Sequence, residues 1–98
     1  MSITQKQRRH LKSLAHHLKP VVIVGQHGLN QGVLDELRST FEAHELIKVR
    51  LNAEDRATRE TMVEHICRET GSNLVQTIGH VGVFYRRDSD KPRIKLPE

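Results

Sequence analysis

A chain of 98 residues with 36% hydrophobic residues has room for one domain and one modest core, and with one Tyr, two Phe and no Trp that core falls to Val, Ile and Leu. One cysteine excludes an internal disulfide and a multi-cysteine metal cage, no apolar run approaches the ~20 residues of a membrane span, and the opening MSITQKQRRH lacks the apolar segment of a secretory signal, so a cytoplasmic protein is expected. The net charge of +4 is unevenly spread: residues 1–20 hold five Lys/Arg and no acid, residues 31–72 are net −3, and residues 86–98 are net +2, an asymmetry that fits a polyanionic partner such as nucleic acid, or else a solvated basic surface.

Thr4-Gln5-Lys6-Gln7 reads as a capping box that opens a helix. Leu11, Leu14, Ala15 and Leu18 form its apolar stripe, with Arg8, Arg9, Lys12 and His16 off it, and the helix must end before Lys19-Pro20. The apolar run Val21–Val24 suits a strand buried on both faces. Gly25–Asn30 is a tight loop, and Asn30 caps a second helix with Val33, Leu34, Leu37 and Phe41 on its buried side. Leu46–Leu51 alternates, placing Ile47, Val49 and Leu51 on one face and Lys48 and Arg50 on the other. Asn52 or Asp55 caps a third helix whose apolar side is Ala57, Met62, Val63 and Ile66, and Gly71 ends it. Asn73–Ile78 and Val81–Arg86 are two strands joined through Gly79-His80 as a hairpin, and from Arg87 the chain turns polar, a loosely ordered basic tail over 87–98. The order is α-β-α-β-α-β-β, an α/β (α+β) two-layer sandwich on a four-stranded mixed sheet, in one domain over 1–98.

The junction VVIVGQHGLNQGV carries the chemistry. Glycines let a ligand approach the backbone, and the free N–H groups at a helix start favour an anion. Gly25, Gly28 and Gly32 do not fit GxGxxG, and no GK[ST] follows, so neither a dinucleotide fold nor a mononucleotide P-loop is supported. What survives is a GxxG loop over Gly25, Gln26, His27 and Gly28 that clamps a nucleic-acid backbone, or a plain tight turn of the same composition. Gly32 reads as a packing residue between helix and sheet. The seven histidines offer no metal-ligand spacing: His16 and His17 diverge on a helix, His44-Glu45 lacks the second His of HExxH, and His65 and Cys67 are two apart. Cys67 reads as a small core residue and Asp55/Arg59 as a surface pair rather than a catalytic one, and no nucleophile motif is present, so neither enzymatic activity nor a cofactor, metal or small-molecule substrate is expected. Lys48 and Arg50 either extend a basic surface or keep one sheet face wet, and Arg86, Arg87, Lys91, Arg93 and Lys95 form either a polyanion-binding arm or a solubilising tail.

The succession LKSLAHHLKPVVIVGQHGLNQGV, HELIKVRL, the Arg56-containing EDRATRE and a closing VGVFYRR resembles the YhbY family, from about Thr4 to Pro97. These small bacterial proteins consist of a single CRM domain, named for chloroplast RNA splicing and ribosome maturation. The resemblance implies a fold similar to the C-terminal domain of a bacterial translation initiation factor, RNA binding, and association with precursors of the large ribosomal subunit; related plant domains serve group II intron splicing. It carries no catalytic residue over. The family loop commonly has a basic residue between its glycines; Gln26 and His27 stand there in this chain, which hands more of the electrostatics to the first helix. The expectation is a monomeric RNA-binding assembly factor that contacts ribosomal RNA through Arg8, Arg9, Lys12, Lys19, Gly25, Gln26, His27 and Gly28. The rival is a protein–protein module associated with ribosomal precursors that does not clamp RNA.

Overall fold

The computed structural model describes residues 2–25 and 28–98, and its elements run α1 (Gln5–Ala15), β1 (Pro20–Val24), α2 (Gln31–Ala43), β2 (Leu46–Leu51), α3 (Arg56–Thr70), β3 (Asn73–Ile78) and β4 (Val81–Tyr85). Each helix starts on a side chain that satisfies a free backbone donor. At α1 the capping box is complete: Thr4 Oγ1 accepts from the Gln7 N–H (3.1 Å) and Gln7 Oε1 accepts from the Thr4 N–H (3.0 Å). Asn30 Oδ1 accepts from the Val33 N–H at α2 (2.9 Å), and Asp55, not Asn52, caps α3 by accepting from the Thr58 N–H (2.7 Å). The α3 chain leaves through Gly71 at φ +71°, whose N–H donates to the Cys67 carbonyl (2.9 Å). An L side chain is strained in that left-handed region, so glycine suits the position.

The sheet order is β1-β2-β4-β3, with β1 parallel to β2 and β4 antiparallel to both neighbours. One face carries the main core. Val22, Val24, Ile47, Val49, Leu51 and Phe84 meet Leu34, Leu37 and Phe41 of α2 and Met62, Val63 and Ile66 of α3. Gly82 is part of that packing, because a Cβ there would lie 2.7 Å from Phe84 Cε2. This is the expected layer of sheet against helices. Helix α1 adds cover on the opposite face, where Leu11 and Ala15 close over Leu46, Val75, Val83 and Tyr85. Ala57, in the first turn of α3, is exposed rather than on the buried side.

Strand β1 is not buried on both faces. Val22 and Val24 are inside, but Val21 and Ile23 are 55% and 59% exposed. The reason is positional: β1 is the edge strand, and α1 covers only the end of the sheet at which β2 begins. Gly32 is also exposed, and the nearest atom to an added Cβ is the cap oxygen Asn30 Oδ1 at 3.3 Å, so its surroundings are the helix cap and not the sheet.

Residues 87–98 form no helix or strand, yet they are tied to the domain rather than loose. The buried Glu45 carboxylate accepts from the backbone N–H groups of Asp88, Arg93 and Ile94, each at 2.7 Å. Burial pushes the Glu45 pKa up, but these three donors and the Arg93 charge outweigh it and hold the carboxyl below its ordinary value. Arg93 donates to the Glu42 carbonyl (3.0 Å) and the Ala43 carbonyl at the C-terminus of α2, and Ile94 and Leu96 pack beside the α1 cluster. Gln7 Nε2 donates to the Pro97 carbonyl (3.0 Å).

Candidate functional site

The half-covered face is the candidate site. Period-two alternation and the strand register decide which side chains stand on it. One row across all four strands is Ile23, Arg50, Val81 and Ile78, and a second is Pro20, Lys48, Val83 and Gln76. In the second row Val83 is buried under α1. Beyond it α1 lifts away and leaves a groove of about 480 Å³ lined by Lys12, His16 and His17 on the helix side and Lys48, Gln76 and Ile78 on the sheet side. No carboxylate lines this groove or stands in either row. His16 and His17 do not diverge: the helix has ended at Ala15, and their rings sit edge to face 5.2 Å apart.

The residues singled out from the sequence are sorted by this geometry. Lys12 is exposed and faces Lys48 across the groove. Arg9 and Lys19 are exposed but do not line it. Arg8 is diverted into the fold: Nη1 donates to the Leu74 carbonyl (2.5 Å) and the Val75 carbonyl (3.2 Å), where the β3–β4 register shifts. Gly25 follows β1, and the Gly28 N–H donates to the Gly25 carbonyl (3.0 Å). The two glycines are not equivalent. Gly28 has φ +74°, so its own backbone conformation favours glycine; Gly25 has no such φ, and a Cβ on it would meet nothing within 4 Å. Gln26 and His27 lie outside the described residues. Pro20 stands in the row of Lys48, and Gly25 lies five residues further along the same edge strand, about 16 Å away; neither glycine lines the Lys12–Lys48 groove.

Lys48 and Arg50 belong to this surface, and alternation in LIKVRL was the signal for them. Ile23, Val81 and Ile78 were missed. Ile23 and Ile78 on the edge strands, and Val81 at the start of the interior strand β4, look in sequence like core residues, and the extent of α1 leaves them uncovered. The tail cations divide as Arg8 does. Arg86 sits 5.6 Å over the Phe41 ring and donates to the Thr70 carbonyl (3.4 Å), and Arg93 caps α2, while Arg87, Lys91 and Lys95 are exposed.

Elsewhere the titratable groups serve the fold. Asp55 and Arg59 do not pair: Arg59 donates to the Ala53 carbonyl (3.2 Å), and the Thr58 N–H chiefly holds the Asp55 pKa below its usual value. Cys67 is half-buried against the main core, and burial pushes its thiol pKa up against the opposing pull of Ser72 and Leu74. Among the described residues no three His, Cys, Asp or Glu gather as metal ligands, and no helix is long and apolar enough to cross a membrane.

Comparison with known proteins agrees with this architecture. The CRS1 / YhbY (CRM) domain model matches residues 3–86. The chain is 47% identical over 96 residues to a Haemophilus influenzae protein named an RNA-binding protein, covering 98% of this chain and 96% of that one. It is 37% identical over 95 residues to YqeI of Bacillus subtilis, named a probable RNA-binding protein, covering 97% and 99%. The solution structure of SAV1595 from Staphylococcus aureus, described as an RNA-binding candidate, superposes with a TM-score of 0.86 at 35% identity, covering 98% of this chain and all of that one. With a family model that spans most of its length, relatives aligned almost end to end and the same fold in a solved structure, the chain belongs to the CRS1 / YhbY (CRM) domain family.

Proposed function

We propose that this protein is an RNA-binding assembly factor that acts on large-subunit ribosomal RNA or its precursor particle, as a cytoplasmic monomer, by binding rather than by catalysis. The names of its relatives support RNA as the partner. The likeness to the YhbY family stated above is what points to the large subunit. The observation that carries the reading is the surface itself: Lys12 and Lys48 face each other across a carboxylate-free groove, and edge strand β1 runs from the row of Lys48 to Gly25, which has open space above it. Cations there neutralise phosphates, and a backbone without a Cβ lets a sugar–phosphate strand lie close.

Gly25→Val tests the clamp more cleanly than a change at Gly28, because it meets no clash and no positive φ. The fold should be kept and affinity for ribosomal RNA should fall; unchanged affinity in a folded variant removes the glycine pair from the site. Binding of the unaltered chain should weaken steeply with salt, by about 0.7 in the log–log slope for each phosphate contacted on a single strand. A flat salt response would sink the electrostatic reading altogether.

A further inference from the structure

The aliphatic half of the open face is not explained by phosphate binding. Ile23 and Ile78 are 59% and 55% exposed, and Val81 is half-buried between Ile78 and Arg50. The register sets them side by side with Arg50 in one line across four strands, about 14 Å long at the usual strand spacing. Exposed β-branched side chains scattered singly need no explanation, but a continuous row beside two lysines whose groove holds no carboxylate does.

We infer that Ile23, Arg50, Val81 and Ile78 form a platform for the unpaired bases of one RNA strand, whose phosphates are taken by Lys48 and Lys12. The inference rests on the RNA-binding reading above and adds the form of RNA recognised. A duplex hides the flat faces of its bases in the stack and offers phosphates and 2′-hydroxyls, so it gains from the lysines but nothing from the isoleucines. An unstacked base has a flat apolar face to bury, and the Arg50 guanidinium is a planar group against which a base can lie. Among the described residues the open rows carry no Phe, Tyr or Trp and the Lys12–Lys48 groove no carboxylate, so the surface reads bases by contact area with little sequence preference. Charge complementarity favours this occupant over a protein, because Lys12 and Lys48 line one groove without a carboxylate, and Arg50 in the next row, though it borders Glu54, gives its Nε–H to Asn52 Oδ1 (3.2 Å) rather than to an acid.

The test compares labelled ten-nucleotide single-stranded RNA with a ten-base-pair RNA duplex by fluorescence anisotropy at several salt concentrations. The variants are I23T/I78T and, separately, I23T, which keep a β-branched residue in the strand. Thermal unfolding confirms that each is folded. Single-strand affinity of I23T/I78T should fall about tenfold, the scale of losing two aliphatic contacts, with an unchanged salt slope and unchanged duplex affinity. I23T should lie between the parent and the double variant. Equal losses on both RNAs, or no loss on either, overturn the platform while RNA binding stands. Self-association of the parent chain in sedimentation, lost in I23T/I78T without a change in RNA affinity, overturns it in favour of a second copy on this face. If the parent chain binds neither RNA at low salt, the underlying reading fails as well.

Discussion

The two faces of the sheet come from the same four strands and are finished differently. On one, α2 and α3 close over Val22, Val24, Ile47, Val49 and Leu51, and Gly82 leaves space for the Phe84 ring. On the other, α1 and the C-terminal segment cover only Leu46, Val75, Val83 and Tyr85, and the remainder mixes Lys48 and Arg50 with Ile23 and Ile78. The first face provides most of the burial that stabilises the fold; the second leaves its outer half free to meet another molecule. Cations divide along the same line. Arg8, Arg86 and Arg93 are held by backbone carbonyls, whereas Lys12 and Lys48 point into an open groove.

That division can be broken by substitution, beginning with the largest effect. Leu37→Ala, at a fully buried position on the closed face, should cost about 2–5 kcal/mol in urea unfolding, while Ile23→Thr on the open face should stay within about 0.5 kcal/mol. Equal costs would mean the open face is a core in disguise. Glu45→Ala strands three backbone donors and should cost roughly 1–3 kcal/mol. The same contact makes a pH prediction. The folded Glu45 pKa lies below the unfolded one, so its stabilisation is complete above the ordinary carboxylate value and is lost as pH falls through the lowered one. Amide exchange at Arg93 and Ile94 should therefore show protection at neutral pH that disappears in acid before the sheet amides open. Arg8→Gln should lower stability by about 1 kcal/mol and leave the RNA salt slope unchanged, since its guanidinium is bound to β3 carbonyls. Lys48→Gln should do the reverse: no measurable change in stability and a slope shallower by about 0.7.

Most of the fold was legible because its signals are local. Thr4, Asn30, Asp55 and Gly71 act within three or four residues of themselves, and alternation in LIKVRL needs only the strand it describes. The candidate site was legible in part. Lys12 and the two glycines could be read, but Arg8 has the same sequence environment as Lys12 and the opposite fate, decided by a β3 bulge 66 residues away. The exposure of Ile23 follows from where α1 stops, and the order of the last segment follows from Glu45, which lies 43 to 49 residues from the amides it receives. Pairings at that range leave no periodic trace.

The Glu45 contact also sets the physical limits of the module. The family match ends at residue 86, but the amides that hold the buried Glu45 carboxylate come from 88, 93 and 94. A fragment trimmed to the matched region would keep every strand and helix and lose all three backbone donors to the Glu45 carboxylate. When such a domain is excised or grafted, the unit that folds is longer than the signature by which it is recognised.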